Sequence, residues 1–155
     1  MSIFLKTDTV KKEWTDYNGH MNLAYYIHIF DNAAEILLQK FKMGADSAKN
    51  DKKSTFAVET YTTYNHELKD GEEVNINVLY LDYDKKRIQY KLSMIHKEKK
   101  YLAATTEVLS LYIDLNKRKV AEFESEKIVI MDDFIKSNSS KFNTEKLVLL
   151  NKLKK

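Results

Sequence analysis

The chain has 155 residues, about the length of one domain, and its 43% hydrophobic content is typical of a globular protein. No apolar run approaches the ~20 residues that span a bilayer, and no secretory h-region is visible near the start, so we expect a cytoplasmic protein. Cysteine is absent, which excludes disulfides and thiolate nucleophiles. The net charge is only +3 and just two arginines occur, which argues against nucleic acid and membrane as partners.

The N-terminal third of the chain predicts a short strand around residues 5–13 and then one long helix. Its apolar residues recur at helical spacing: Leu23, Tyr26, Ile27, Phe30, Ala34, Leu37, Leu38 and Phe41. Gly44 follows this pattern and is predicted as the residue that caps the helix C-terminus after about five turns. Because Ile29, Ala33 and Ile36 lie off the main stripe, we expect other structure to surround the helix.

After the polar stretch 45–54, the pattern changes from helical to alternating. Four strands are predicted within residues 55–68, 74–84, 88–96 and 101–115, and short turns joining them in order would make an antiparallel meander. The first strand carries one face of mixed β-branched and aromatic residues: Phe56, Val58, Thr60, Thr62 and Tyr64. An Asp-Gly pair at 70–71 predicts the turn into the second strand.

The C-terminal part has the weakest pattern. Residues 127–137 are short and mixed, whereas 143–155 show helical spacing through Leu147, Leu150 and Leu153 and predict a small amphipathic helix with a basic end. We expect a single domain over residues 1–155, with a core of about 1–127 and an extension over 128–155.

This order of elements predicts an α+β hotdog fold. The sheet must bury one face, and the long helix is the only large apolar partner for it, so the antiparallel sheet is expected to wrap around a central helix. Small domains of this architecture pair their sheets edge to edge, and we therefore expect a homodimer or a dimer of dimers.

The segment "EWTDYNGHMN", residues 13–22, lies just before the helix and allows two interpretations. Asn-Gly is a strong turn signal and Asn22 is a good N-cap, so the segment can be a plain connection. However, Asp16, Gly19, His20 and Asn22, followed by "AYYIHIFDNAAEILL", resemble the active-site segment of hotdog acyl-CoA thioesterases of the 4-hydroxybenzoyl-CoA thioesterase type.

The resemblance covers about residues 7–123 and extends to two further motifs. Glu67, Leu68, Gly71 and Glu72 are similar to a Glu-Leu-x-x-Gly-Asp/Glu element of the family, and "YIDLNKRKVAEF" is similar to its closing strand. The variant that the chain resembles most is the betainyl-CoA type associated with carnitine breakdown. The resemblance implies an acyl-CoA substrate with a short or polar acyl group, and no cofactor apart from the coenzyme A of the substrate.

The resemblance assigns catalytic roles to four residues. Asp16 serves either as a general base on water or as a nucleophile, since both need a carboxylate beside the thioester carbonyl. The amides of Gly19, His20 or the following residues at the helix N-terminus polarise the carbonyl oxygen. His20 either takes part in the site or packs beside the loop and holds Asp16, while Asn22 caps the helix and organises the oxyanion site.

Further residues are candidates for substrate binding. A trimethylammonium group would fit an aromatic cage, for which the candidates are Trp14, Tyr17, Tyr25, Tyr26, Tyr61 and Tyr64, although most tyrosines of a sheet protein serve packing. Glu59 and Thr60 lie at the strand level where, in related enzymes, residues of the neighbouring subunit help to line the acyl pocket, and a solvated strand glutamate is the alternative for Glu59. Glu35 is expected to be structural.

Basic residues could bind the CoA phosphates, and residues 85–87 together with Lys117, Arg118 and Lys119 are the candidates, with solvated turns as the alternative. The four histidines show no metal-ligand spacing, so no metal site is predicted. Two other functions remain open: a non-catalytic acyl-CoA binding module, and an enoyl-CoA hydratase of the same architecture.

Overall fold

The computed structural model describes residues 3–155, so the first two residues of the predicted domain lie outside the described part. The strands are β1 (Ile3–Thr9), β2 (Lys53–Tyr64), β3 (Glu73–Tyr83), β4 (Arg87–His96), β5 (Leu102–Asp114) and β6 (Lys119–Val120). The helices are α1 (Leu23–Lys40), α2 (Ala45–Asn50) and α3 (Ser125–Asn138), and short 3-10 turns cover Lys12–Trp14, Ser139–Lys141 and Leu150–Lys152. Within residues 3–155 no helix is both long and apolar enough to cross a bilayer.

Helix α1 is the centre of the fold, as predicted. Its 18 residues make five turns, and Ile29, Ala33 and Leu37 are completely buried. The inner face of the curled sheet supplies buried partners such as Ile76 and Leu92. Each fully buried aliphatic side chain of this size contributes about 1.5–3 kcal/mol, so the contact between helix and sheet dominates the core. The predicted α+β hotdog fold is confirmed.

The C-terminus of α1 differs from the prediction at Gly44. The helix ends at Lys40, and Lys42 adopts the left-handed conformation with φ of +59°. The N–H of Met43 then donates to the carbonyl of Leu38 at 3.1 Å, which is the bond of a Schellman cap. Gly44 instead lies at the N-cap position of α2, a short helix within the polar stretch 45–54. A lysine takes the left-handed position because buried Met43 fixes the direction of the chain there.

The predicted four-strand meander is wrong at its first turn. The strand order is β1-β3-β4-β5-β2, so β2 pairs with β5 and only β3, β4 and β5 form a meander. Residues 65–72 cross beneath the N-terminus of α1, where Leu68 is completely buried. The Asp-Gly turn then pairs with the end of β1, because the N–H of Gly71 donates to the carbonyl of Val10 at 2.8 Å. Burial of Leu68 and pairing with β1 outweigh a local hairpin.

Strand β2 forms a free edge of the sheet and contains a bulge that the alternating pattern did not reveal. The register against β5 shifts between Ala57 and Glu59. The bulge places Phe56 opposite Leu111 and Thr60 opposite Val108, so these two side chains lie on different faces of the sheet. The predicted single face that joined Phe56 to Tyr64 is therefore wrong, because one extra residue reverses the alternation.

The C-terminal segment also differs from the prediction. The helix is α3, which covers the short and mixed stretch 127–137, and residues 143–155 hold one 3-10 turn instead of an amphipathic helix. That tail crosses the outer face of the sheet, where the buried carboxylate of Glu107 accepts the N–H groups of Val148 and Leu149 at 2.8–3.0 Å. The tail therefore lies across the sheet as an irregular segment, and its leucines do not form one face of a helix.

Candidate active site

The segment between the 3-10 turn and α1 is a tight loop that is held at both ends. The N–H of Asp16 donates to the carbonyl of His20 at 3.2 Å, and the N–H of Gly19 donates back to the carbonyl of Asp16 at 3.0 Å. Gly19 has φ of +80°, a conformation that a residue with a Cβ adopts only with strain. Met21 is completely buried, and its N–H donates to the carbonyl of Leu68 at 2.7 Å, which fixes the loop to the crossover.

Asn22 joins the start of α1 to the Asp16 carboxylate. Its Oδ1 accepts the N–H of Ala24 at 3.0 Å and caps the helix, while its Nδ2 donates to Oδ2 of Asp16 at 2.9 Å. The other carboxylate oxygen accepts the N–H of Asn18 at 2.8 Å. The Asn22 amide and the Asn18 N–H hold the pKa of the Asp16 carboxyl below its usual value of 3.8. The carboxylate is thus oriented and ionised at neutral pH.

Two backbone amides beside this carboxylate are free to bind an anionic oxygen. Within residues 3–155 the N–H groups of His20 and Leu23 have no hydrogen-bond acceptor, and Leu23 is the first residue of α1, at the positive end of the helix dipole. The amide of Gly19, which was the first candidate, is already bonded to Asp16. The His20 ring lies against its own loop, with Nδ1 at 3.0 Å from the carbonyl of Met21.

The predicted aromatic cage divides into separate groups within one chain. Trp14 stacks on Tyr25 with ring centroids 5.5 Å apart, so their faces already cover each other. Tyr26 instead meets Tyr64 edge to face at 5.2 Å. Tyr17 is 98% exposed at the tip of the loop. No single pocket therefore collects these rings in the described part of one chain.

The predicted residues of β2 lie on opposite faces of the sheet. Thr60 points toward α1 and lines a cavity of about 130 Å³ beneath the helix. Glu59 forms an ion pair with Lys152 of the C-terminal tail at 3.5 Å, and Tyr61 pairs with Glu107 on the outer face. Within one chain, neither Glu59 nor Tyr61 faces this cavity.

The basic turns proposed for the CoA phosphates lie far from the Asp16 loop within one chain. The turn at 85–87 begins β4, whereas the loop packs near the opposite end of the sheet, about 30 Å away along a ten-residue strand. Arg87 is bonded to Asp84 at 3.0 Å, and Arg118 lies over the ring of Phe56 at 5.5 Å. A solvent-open cleft of about 570 Å³ lies at the C-terminal end of β4, and Lys99 is one of its lining residues. No residue of the Asp16 loop lines this cleft.

Two cavity residues were missed in the sequence. Asp31 and Tyr90 line the cavity beneath α1 together with Thr60. Tyr90 matched the pattern of sheet packing, and Asp31 is an ordinary polar residue beside the apolar stripe of the helix. Glu35, by contrast, has the structural role expected for it, because its Oε1 accepts the N–H of Ala45 at 2.7 Å and caps α2.

Comparisons with known proteins identify the family. The model of the Thioesterase-like superfamily matches residues 10–136. A betainyl-CoA thioesterase of Pseudomonas aeruginosa is 31% identical over 119 residues, which are 76% of this chain and 74% of that protein. An L-carnitine dehydrogenase/betainyl-CoA thioesterase of Agrobacterium fabrum is 30% identical over 101 residues, which are 65% of this chain but only 20% of that longer protein.

Solved structures share the fold of this chain. A Staphylococcus aureus protein in complex with CoA superposes with a TM-score of 0.82 and 25% identity, covering 97% of this chain and 94% of that chain. A putative thioesterase of Pseudomonas putida superposes with a TM-score of 0.81 and 25% identity, covering 96% and 94%. The chain therefore belongs to the Thioesterase-like superfamily and is a hotdog-fold hydrolase of thioesters.

Proposed function

We propose that this protein hydrolyses a short or polar acyl-CoA, with betainyl-CoA as the first candidate, to the free acid and CoA. The observation that carries the proposal is the ionised Asp16 carboxylate, which Asn22 and Asn18 hold beside the unoccupied amides at the start of α1. The choice of acyl group comes from the Pseudomonas aeruginosa and Agrobacterium fabrum relatives, whose names specify betainyl-CoA.

Asp16 supplies the base or the nucleophile of the reaction. As a base, it takes a proton from water while the oxygen of that water attacks the thioester carbonyl; as a nucleophile, it attacks directly and the resulting anhydride is then hydrolysed. In both routes the carbonyl oxygen gains negative charge, and the N–H groups of Leu23 and His20 stabilise it. The C–S bond then breaks and CoA leaves as its thiolate, which takes up a proton.

We also propose that the working unit is a homodimer formed along β2. This strand is a free edge of the sheet, and it exposes Val58 and Tyr64 beside Leu23 and Ile27 of α1. An unpaired edge flanked by apolar side chains is a template for a second copy, and isologous pairing would extend the two sheets into one. The Asp16 loop lies at the Tyr64 end of this edge, so a partner would help to enclose it.

The direct test is release of free thiol from a panel of acyl-CoAs. Asp16→Asn keeps the size of the side chain but removes the carboxylate, and we expect at least a hundredfold loss of kcat, in line with the contribution of a positioned base. Asp133→Asn, an exposed position on α3, makes the same chemical change away from the loop and should retain full activity.

Three results would contradict the proposal. Tight binding of acyl-CoA without thiol release would indicate a binding module, and loss of enoyl absorbance without free thiol would indicate a hydratase. Equal activity of Asp16→Asn and the native protein would remove Asp16 from the mechanism.

A further inference from the structure

A chain of hydrogen bonds connects the turn between β4 and β5 to the Asp16 loop. It begins at His96, which ends β4 and is only 4% exposed. The N–H of Lys99 donates to Nδ1 of His96 at 3.0 Å, so Nδ1 carries no proton and the ring proton lies on Nε2. Nε2 then donates to Oε2 of Glu72 at 2.6 Å. The turn thereby fixes one tautomer of His96 and directs its proton to one carboxylate.

Glu72 passes this orientation to a peptide unit of the crossover. Burial raises the pKa of Glu72, but the Lys69 N–H and the His96 ring lower it by more, so the group is an ionised acceptor at neutral pH. Its second oxygen, Oε1, accepts the N–H of Lys69 at 2.7 Å. This N–H belongs to the same planar peptide unit as the carbonyl of Leu68. A carboxylate that fixes the N–H therefore also fixes the direction of the carbonyl.

The Leu68 carbonyl carries the chain of hydrogen bonds into the Asp16 loop. It accepts the N–H of Met21 at 2.7 Å, and that N–H shares a peptide unit with the carbonyl of His20. The His20 carbonyl in turn accepts the N–H of Asp16 at 3.2 Å. Hydrogen bonds in series polarise one another, so the negative charge of Glu72 strengthens the bonds further along. Only two peptide units separate the Glu72 carboxylate from the backbone of Asp16.

We propose that Glu72 and His96 are positioning residues for the reaction at Asp16. They act through the peptide units 68–69 and 20–21, and we call these two side chains and two peptide units the relay. The inference rests on the proposed thioesterase function. Glu72 and His96 do not touch the reacting atoms, and their effect on the reaction passes through the backbone alone.

The last peptide unit of the relay lies between two groups of the proposed mechanism. On one side is the N–H of His20, which is free to bind the carbonyl oxygen of the substrate. On the other side is Asn22, whose amide donates to the Asp16 carboxylate at 2.9 Å. A change in the direction of this peptide unit therefore moves the oxyanion donor and the catalytic carboxylate together, and small misplacements of reacting groups are costly in rate.

The kinetic test begins with Glu72→Gln. The carboxamide keeps the size of the side chain, but its single oxygen cannot accept both the Lys69 N–H and the His96 Nε2–H. We expect kcat for thiol release to fall about tenfold with KM unchanged, because the substrate contacts remain while the reacting groups are misplaced. Glu73→Gln is the matched control: this neighbouring glutamate lines the same cleft and pairs with Lys97 at 3.5 Å outside the relay, so kcat and KM should stay unchanged.

Two substitutions at His96 test its contact with Glu72. His96→Gln places an amide donor near the level of Nε2, whereas His96→Asn reaches only the level of Nδ1. Glutamine should therefore retain most of kcat, and asparagine should lose about as much as Glu72→Gln. The double variant with Glu72→Gln and His96→Asn should lose no more than Glu72→Gln alone, because both changes break the same relay. Equal losses in the two His96 variants, or losses that multiply in the double variant, would overturn the role of His96.

Amide resonances test the relay without any substrate. In Glu72→Gln three amide proton resonances should move together, those of Lys69, Met21 and Asp16. The resonance of Ala24, whose N–H is bonded at the helix cap outside the relay, should not move. Unmoved resonances of Met21 and Asp16 would overturn the relay whatever the activity. If the native protein released no CoA from any thioester, the thioesterase proposal would fail, and these resonances would still decide whether the relay exists.

Stability is controlled separately. Tm is measured for every variant, and Leu37→Ala serves as a destabilised protein with an intact relay, which should keep its kcat at a temperature where it is folded. A loss of kcat in Leu37→Ala as large as that in Glu72→Gln would show that activity follows stability alone. Unchanged kcat in Glu72→Gln, with its resonances moved, would also overturn the positioning role. If Glu72→Gln does not fold, His96→Asn carries the same kinetic and spectroscopic tests.

Discussion

Asn22 carries two separable functions at the start of α1, and substitutions at this position test the mechanism most sharply. Its Oδ1 caps the helix through the N–H of Ala24, while its Nδ2 donates to the Asp16 carboxylate at 2.9 Å. Asn22→Ser keeps an acceptor for the cap but removes the amide donor. Asn22→Asp keeps the cap and replaces the donor with a second carboxylate. Asn22→Ala removes both functions.

The structure gives the direction and size of each effect. Loss of the cap in Asn22→Ala should lower the free energy of unfolding by about 1 kcal/mol, or roughly 3 °C in Tm, whereas serine and aspartate should preserve it. Without the Asn22 amide, the pKa of Asp16 should rise toward its usual value of 3.8, and a neighbouring carboxylate should raise it further. The carboxylate works only when ionised, so activity is present above its pKa and is lost as pH falls through it.

The assay is kcat/KM for thiol release as a function of pH, with Tm measured at neutral pH. We expect the acidic limb to move upward in the order native, Asn22→Ser, Asn22→Asp, while Tm stays constant across these three proteins. An acidic limb that is identical in the native protein and in Asn22→Asp would refute the role of Asp16 as the titrating group. A loss of Tm in Asn22→Ser as large as that in Asn22→Ala would refute the separation of the two functions.

Three further substitutions test the fold around the site. Glu107→Ala removes the acceptor for two tail amides and should cost about 3 kcal/mol, with faster hydrogen exchange confined to residues 143–155 and the adjoining sheet; unchanged exchange in the tail would contradict its anchoring role. Leu37→Ala should lower the free energy of unfolding by about 3 kcal/mol in urea titration, because this side chain is completely buried, and a loss below 1 kcal/mol would mean that the core relaxes around it. Burial raises the pKa of Glu72, but the N–H of Lys69 and the ring of His96 lower it by more, so the folded-state pKa lies below the usual value of 4.5. The contribution of Glu72 to stability is therefore present above pH 4.5 and is lost as the pH falls through the folded-state pKa. Glu72→Gln should flatten this loss of stability in acid, and a stability curve parallel to that of the native protein would argue against the role of Glu72.

Local patterns were sufficient to predict the elements that carry the fold. The helical spacing of apolar residues gave α1 and its burial, and the alternating stretches gave the four long strands within a few residues. The turn and cap chemistry of 16–22 located the loop that holds Asp16, because Asn-Gly and an N-cap asparagine act through bonds to near neighbours.

Features that depend on contacts between distant residues could not be predicted from these local patterns. Strand β2 pairs with β5 because residues 65–72 bury Leu68 beneath α1, and no local signal distinguishes that crossover from a hairpin. The bulge in β2 decides that Thr60 faces the cavity and Tyr61 does not. It shifts the alternation of the strand by one residue, and the sequence pattern gives no sign of that shift. Likewise, the tail follows Glu107 and not its own helical spacing.

The sequence by itself thus determined which segments are helix and strand and where the loop that holds the Asp16 carboxylate lies, since periodicity and capping are properties of residues a few positions apart. The tertiary structure alone decided which strand edge stays free and which side chains meet beneath α1. Asp31 and Tyr90 are 59 positions apart in the chain, and only the packing of α1 on β4 brings them to one cavity wall.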